Sequence, residues 1–383
     1  MTAVHGRCPG PTPTVEPLAA PSEGWTFDAL VASANELSVR LGGPVILGID
    51  AVLGVPEAFL DQLITHPGYR HVRGFLDLLR TDLAGKQFYE PSLTADAWLL
   101  TRPFFAVPKG EGALTEFVDA AGGDRVLRRR VDRQTHGKSV FILSGIGGTV
   151  GSGSIALWQE MAPHFGGEHS RDFVVWPFEC DLEHLSGRNR VVVCEIYPRA
   201  SYGIALADEL PVAARTIAKT KRDPRDEALV ELRASGWLAR HSVSITGTEL
   251  ASSNEDEFDA LMSAVATLRL LLDGQGLSSV SDHTSVEGGI LGLEALESRT
   301  SPQRSHVPSH TSDVSRKSIT VPGLDCPIPG CNKRFQNGRM GWDAHVASLR
   351  LHPEWYPALT AGEERKARFR QEFRDWFEEA GSR

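Results

Sequence analysis

Apolar residues through most of the chain follow two patterns, and these patterns predict alternating strands and helices. Continuous apolar runs bounded by glycine or polar residues predict strands at 42–50, 139–143, 173–178 and 190–197, with a shorter one around 241–246. Apolar positions at helical spacing predict helices over 25–41, 56–64, 70–84, 155–165, 223–238 and 254–274. This alternation favours an α/β fold.

The pattern breaks near both termini. The N-terminal segment 1–24 is rich in proline and has no apolar core of signal-peptide length, so it is predicted to be disordered. Serine, threonine and proline replace the apolar pattern over 298–322, which indicates a linker. We therefore predict one large domain over 25–297, a small cysteine- and histidine-containing module over 323–356 and a charged helix over 357–383.

Composition excludes several classes of protein. The five cysteines, an odd number, argue against a disulfide framework. The longest uncharged stretch, residues 139–159, has glycine and serine in its middle and is not a membrane helix. We expect a cytoplasmic protein without a membrane partner. The net charge of -9 disfavours non-specific binding to nucleic acid, so any nucleic-acid site must rest on particular basic segments.

A glycine-rich segment, VFILSGIGGTVGSGSIALW at 140–158, connects a predicted strand to a predicted helix, which is the order used by phosphate-binding loops. A P-loop requires lysine followed by serine or threonine, and both are missing here. GSGSIA fits the looser G-x-G-x-x-A pattern of dinucleotide-binding loops, and Asp172 lies about twenty residues downstream. The strand that this pattern requires before Asp172 is not evident. The other interpretation is that the glycines allow tight turns and close packing of helix on sheet.

Four acidic residues lie where a cation site could form. Asp50 follows a buried strand, at the edge where open α/β folds bind ligands. Glu195 interrupts an apolar strand, where a carboxylate is costly unless it is paired or binds a cation. Asp256 and Asp259 are three residues apart on a predicted helix and share a face.

Each acid also has an ordinary structural explanation. Asp50 could simply end a strand, and Glu195 could pair with an arginine such as Arg199. Asp256 and Glu255 could stabilise a helix N-terminus behind an Asn254 cap.

The order of these acids resembles the RNase H-like nuclease superfamily, and DEFDA at 256–260 resembles the D-x-x-D-A helix of RuvC-like resolvases. More specifically, the chain resembles a family of predicted RNase H-like nucleases long catalogued as a domain of unknown function. Val52 stands where family members carry proline. The resembling segments are GIDAVLGVP, RPFFAVPKG, LRRRVDRQTHGKS, SVFILSGIGGTVGSGSIALW, VVWPFE, VVVCEIYPRA, DEFDALMSAVATL and VEGGILG.

The resemblance implies an RNase H-like mixed sheet flanked by helices and a metal-dependent nuclease activity. It implies that Asp50, Glu195 and Asp259 bind Mg or Mn, with Asp256 as a further catalytic acid and Asp50 as the bridging ligand. Carboxylate oxygens suit these cations, and two of them about 4 Å apart can activate water and stabilise the leaving oxygen of a phosphodiester.

The large domain also contains a basic segment, and two alternative functions remain open for it. Lys219, Lys221 and Arg222 in AKTKRD could contact a nucleic-acid backbone, or they could form a solvated turn. A non-catalytic nucleic-acid or protein-binding adaptor is the first alternative function. An ATP-handling actin-like relative is the second, although Ala51 and Val52 replace the glycine and hydroxyl residue usual in its first motif.

Near the C-terminus, the spacing C-x4-C-x13-H-x6-H resembles a C2H2 zinc finger. Its predicted structural zinc ligands are Cys326, Cys331, His345 and His352. The last gap exceeds the usual spacing, so the helix must unwind before His352, and Pro353 is consistent with such an ending.

This module suggests two kinds of partner. Lys333, Arg334 and Arg339 are candidate contacts to nucleic-acid phosphates. Zinc fingers also bind proteins, and the charged terminal helix suits a protein partner equally well.

Overall fold

The computed structural model describes residues 12–107, 113–143, 150–166, 171–182, 190–274 and 284–296, with short pieces at 4–7, 324–325, 334–335 and 371. The chain divides into two compact units, Met1–Pro302 and Gln303–Arg383. The fold is mixed α/β, which confirms the predicted class. Within the described residues, no helix is long and apolar enough to cross a membrane.

The described strands of the first unit form small sheets. They are β1 Val4–Arg7, β2 Thr14–Pro17, β3 Val45–Ile49, β4 Phe105–Ala106, β5 Ile142–Leu143, β6 Phe173–Val175, β7 Val191–Glu195 and β8 Ser244–Ile245. The described helices are α1 Phe27–Leu41, α2 Glu57–Leu63, α3 Phe75–Leu79, α4 Ala113–Ala120, α5 Asp124–Leu127, α6 Arg130–Thr135, α7 Val150–Met161, α8 Pro198–Leu206, α9 Arg222–Arg233, α10 Gly236–His241, α11 Thr248–Ser253, α12 Glu255–Asp273 and α13 Thr284–Glu287.

The sheet that carries the predicted acids has the order β3-β7-β6, and its described strands are all parallel. The mixed sheet of the unit is a different one, β1-β2-β8, in which β1 and β2 are antiparallel. All of β7 is buried, as expected for the central strand of a parallel sheet covered on both faces.

Two hydrophobic cores lie on opposite faces of this sheet, because alternate side chains of β7 enter different cores. Val191 and Val193 join the core that contains Trp158, whereas Val192 and Cys194 join the core that contains Trp237. The first core packs residues of α1, α2, α3 and α7, and the second packs residues of α8, α9, α10 and α12.

Helix α12 matches its prediction closely. The Asn254 side chain accepts hydrogen bonds from the N–H groups of Asp256 and Glu257, and the helix ends at Gly274 in the left-handed conformation. The capped N-terminus brings Asp256 and Asp259 into the first two turns.

Other predictions were wrong. Segment 1–24 is not disordered over its described part, because it forms β1 and β2, and Val15 is fully buried in the second core. The helix predicted over 70–84 is limited to α3, and that over 223–238 is two helices, α9 and α10.

In the second unit, the structure describes an antiparallel strand pair, β9 Leu324–Asp325 with β10 Arg334–Phe335. The side chain of Arg334 lies outside the described part. So do the remaining residues predicted for this module, Cys326, Cys331, Lys333, Arg339, His345 and His352.

Candidate functional site

The parallel pairing of β3 and β7 brings two of the predicted acids together. Ile49 pairs with Glu195 in the register, and the Ile196 N–H donates to the Ile49 carbonyl at 3.0 Å. Asp50 follows Ile49 directly, so it lies beside Glu195 at the carboxyl edge of the sheet, where open α/β folds bind ligands.

Asp50 keeps access to solvent, although protein surrounds its carboxylate closely enough to desolvate it. Burial raises the pKa of Asp50 to about 7, and the negative charges of Asp259, Glu195 and Asp256 add to this effect while Lys219 opposes it. No group in the described part of the chain donates a hydrogen bond to this carboxylate. Asp50 is therefore an open acid among other acids.

Glu195 is held by a buried arginine. Its side chain is 5% exposed, and Arg129 donates to both carboxylate oxygens at 2.7 Å. The Leu53 N–H also donates to Oε2, at 2.8 Å. Burial raises the pKa of Glu195 even though Arg129 acts in the opposite direction. The partner is thus Arg129, whereas the sequence suggested Arg199.

Arg129 links Glu195 to the start of helix α6. It is fully buried and also binds Asp132, with Nη2–Oδ1 and Nε–Oδ2 distances of 2.8 and 3.1 Å. Burial alone would lower the pKa of Arg129, but Asp132 and Glu195 outweigh it and raise the pKa. The cluster is a compensated set of buried charges.

Glu287 is a further buried acid, and it connects the segment after β3 to the cluster around Arg129. Its carboxylate accepts from the Glu57 N–H at 2.9 Å and from the Arg130 N–H at 2.6 Å, at the start of helices α2 and α6. Gly54 and Gly288 let the two loops approach closely, because a Cβ at either position would overlap with a backbone carbonyl of the other loop.

Asp259 faces Asp50 from helix α12 and has partners on both oxygens. The Tyr202 hydroxyl donates to Oδ1 and the Lys219 ammonium donates to Oδ2. Burial raises the pKa of Asp259 despite these two donors. Burial acts to lower the pKa of Lys219, but Asp259 and Asp50 outweigh it, so that pKa is raised.

The other predicted residues in this region lie on the surface. Asp256 is exposed in the first turn of α12, near enough to Asp50 for its charge to act there. Lys221 and Arg222 are exposed at the start of α9, and Arg222 forms an exposed ion pair with Asp226 at 3.4 Å. Of the three basic residues predicted to contact nucleic acid here, Lys219 alone turns towards the acids.

The described part of the glycine-rich segment belongs to helix α7, which begins at Val150, and residues 144–149 lie outside the described residues. The Ser154 hydroxyl accepts from the Val52 N–H at 3.0 Å, and the Trp158 Nε1–H donates to the Val52 carbonyl at 2.7 Å. Helix α7 therefore holds the residue two positions after Asp50. This contact agrees with the packing interpretation of the segment.

The described side chains include no group of three or more His, Cys, Asp or Glu already arranged to hold a metal ion. Of the four predicted acids, Glu195 and Asp259 accept from Arg129, Tyr202 and Lys219, whereas Asp50 and Asp256 accept no side-chain hydrogen bond from a residue that the structure describes.

Sequence reasoning missed Arg129, Tyr202 and Glu287 as members of this cluster. LRRRVDR and VEGG were recognised as segments, but only the long-range contacts give them a structural role. Tyr202 lies in the second turn of α8, and its position relative to Glu195 at the end of β7 carries no sequence signal by itself.

No family model, curated protein or solved structure matches this chain.

Proposed function

We propose that this chain is a Mg- or Mn-dependent nuclease with an RNase H-like fold, which hydrolyses phosphodiester bonds in DNA or RNA. The observation that carries the proposal is the position of Asp50. It is an open carboxylate at the end of β3, beside Glu195 of β7 and facing Asp259 and Asp256 of α12. Perturbed acids cluster at functional sites, and carboxylate oxygens are ligands that Mg2+ accepts.

The chemistry of the side chains fits such a cation. Among the described residues, none donates a hydrogen bond to the side chains of Asp50 and Asp256, and Oδ2 of Asp259 is bound by the partly exposed Lys219 alone. A metal-ligand role for Glu195 stays a prediction. It would require Glu195 to release Arg129 and bind the cation instead. The bound cation would supply activation of water and stabilisation of the leaving oxygen.

The surroundings of these acids suit an anionic polymer. Lys221 and Arg222 lie on the surface within three residues of Lys219, which contacts Asp259. Positive charge beside an acidic site provides contacts to phosphates and keeps the substrate near the reacting bond.

Cleavage of labelled DNA and RNA oligonucleotides by the purified full chain, with Mg2+ or Mn2+, tests the proposal. We expect cation-dependent cleavage that Asp50→Asn reduces by about 100-fold or more, since removing a charge-stabilising group costs about that much. Asp61→Asn, an exposed acid on α2, is the matched control and is expected to cut as wild type does. Absence of cleavage with either cation, or full activity of Asp50→Asn, would overturn the proposal.

A specific observation favours the non-catalytic adaptor as a second candidate. Glu195 and Asp259 are already neutralised by Arg129 and Lys219, so neither needs a cation in order to remain buried. Fluorescence anisotropy with uncleaved oligonucleotides separates the two functions. An adaptor binds equally well with Asp50→Asn and without divalent cations, and it cuts nothing.

For the second unit we propose a structural zinc site in residues 323–356 that docks nucleic acid or a protein partner. The antiparallel pair β9 and β10 supports it, because these strands flank Cys326 and Cys331 as the hairpin of a zinc finger does. Metal analysis of the full chain should find one zinc per molecule, lost in Cys326→Ser. Equal zinc in both proteins would contradict this site.

A further inference from the structure

Lys219 is shared between two acids of the candidate site. Its ammonium donates to Asp259 Oδ2, while the other oxygen of Asp259 accepts from Tyr202. The same positive charge also acts on Asp50, where it opposes the three neighbouring negative charges. One side chain therefore supplies positive charge at the place where the acids are most crowded.

The Lys219 side chain reaches Asp259 from the open side. It is 35% exposed, whereas the Asp259 side chain is 11% exposed. A long side chain in this position can return to water by rotation about its own bonds, because solvent already reaches its end.

The backbone of Lys219 is held by contacts that do not involve its side chain. Arg225 is buried and donates to the Lys219 carbonyl, and it also donates to the Ser252 carbonyl at the end of α11, at 2.7 and 3.0 Å. The turn is thus tied to the protein independently of the ion pair. Displacement of the ammonium does not require the turn to move.

We propose that Lys219 is an internal competitor for the divalent cation, whose ammonium holds Asp259 in the cation-free protein and must leave before that oxygen can act as a ligand. This inference rests on the proposed function. Two positive groups next to one carboxylate repel each other, so the free energy of cation binding includes the cost of breaking the Lys219 contact.

The test measures direct binding of Mn2+ to the full chain. The electron paramagnetic resonance signal of the free ion, recorded at fixed pH and ionic strength, reports how much Mn2+ remains unbound. We expect Lys219→Met to bind Mn2+ about tenfold more tightly than wild type or better, since loss of one close positive charge is worth at least that factor. Lys138→Met removes an exposed lysine charge that has no part in the candidate site and is expected to bind like wild type.

A second neutral variant keeps the test independent of folding defects. Lys219→Gln can still donate to Asp259 and should tighten Mn2+ binding in the same direction, with an unchanged far-ultraviolet circular dichroism spectrum. Equal or weaker binding by both neutral variants, or an equal gain in Lys138→Met, overturns the inference while cation binding itself stands. If no variant binds Mn2+, the inference and the proposed function are both overturned.

Discussion

Arg129 and Glu195 form a two-point ion pair in the interior, with Nη1–Oε2 and Nη2–Oε1 distances of 2.7 Å. Because Glu195 also accepts from the Leu53 N–H, the pair connects the end of β7, the loop after β3 and the start of α6. It fixes the sheet edge on which Asp50 lies. The pair is therefore a structural support for the candidate site.

Breaking this pair should destabilise the protein strongly. Arg129→Met leaves Glu195 and Asp132 as buried acids without their cation, and we expect the free energy of unfolding to fall by about 3–5 kcal/mol. Urea denaturation measures this change. Arg130→Met, at the exposed neighbouring position, is the control and should change stability by about 0.5 kcal/mol or less. A similarly small loss for Arg129→Met would contradict the assigned role.

Asp50 should make stability depend on pH in a definite direction. The unfolded carboxyl loses its proton near its ordinary pKa of 3.8, while the folded one keeps it until the pH approaches about 7. Between these values the folded state binds more protons, so wild-type stability falls as the pH rises, and above about 7 the effect is complete.

Asn at position 50 cannot ionise and escapes this loss. We expect Asp50→Asn to gain stability relative to wild type as the pH rises through that interval, with a constant difference above it. Urea denaturation of both proteins at a series of pH values measures the difference, and Asp61→Asn serves as the surface control. A difference that does not change with pH would show that Asp50 is not perturbed.

Gly54 tests the close approach of the two loops. It has a φ of 149°, and a Cβ there would overlap with the Glu287 carbonyl, so Gly54→Ala should destabilise the protein by about 1–3 kcal/mol or more. Gly43→Ala is the matched control, because a Cβ at Gly43 meets nothing within 4 Å. Thermal denaturation compares them. Equal melting temperatures would mean that the loops can separate without cost.

Two glycines at the start of α7 should respond differently to alanine. A Cβ at Gly151 would overlap with the Ile142 carbonyl, whereas Gly153 is exposed and a Cβ there meets nothing. We expect Gly151→Ala to lose about 1–3 kcal/mol by overpacking, and Gly153→Ala to gain about 0.5–1 kcal/mol from higher helix propensity. Chemical denaturation measures the free energy of unfolding of both variants. Equal changes in the two variants would argue against close packing at Gly151.

Local sequence patterns predicted the parts of the fold that depend on local physics. Strand β7 follows from an uninterrupted apolar run, and α12 follows from apolar spacing, an asparagine cap and a terminal glycine. Asp50 was recognisable because it follows an apolar strand, and Glu195 was recognisable because it interrupts an apolar run. The predicted and observed limits of α12 differ by one residue at each end.

Contacts between distant segments were beyond such patterns. Arg129 and Glu195 are 66 residues apart, and nothing in either segment distinguishes this pairing from the suggested Arg199. The N-terminal segment looked disordered by composition, yet β2 is stabilised by pairing with β8, and Thr14 and Val15 oppose Ser244 and Ile245. In both cases the determining interaction is tertiary, so neither propensity nor periodicity encodes it.

The bonds from Glu287 have a consequence for synthesis of the chain. Glu287 lies 230 residues after Glu57, whose N–H it accepts, and at about 5–20 residues per second the ribosome needs roughly 10–50 s to cover that distance. Helix α2 and the loop after Asp50 are synthesised early, but their contacts with Glu287 cannot form until the VEGG segment has been synthesised. A nascent or truncated chain that stops before residue 287 therefore lacks the acceptor for the first turns of both α2 and α6, and its acidic edge stays incomplete.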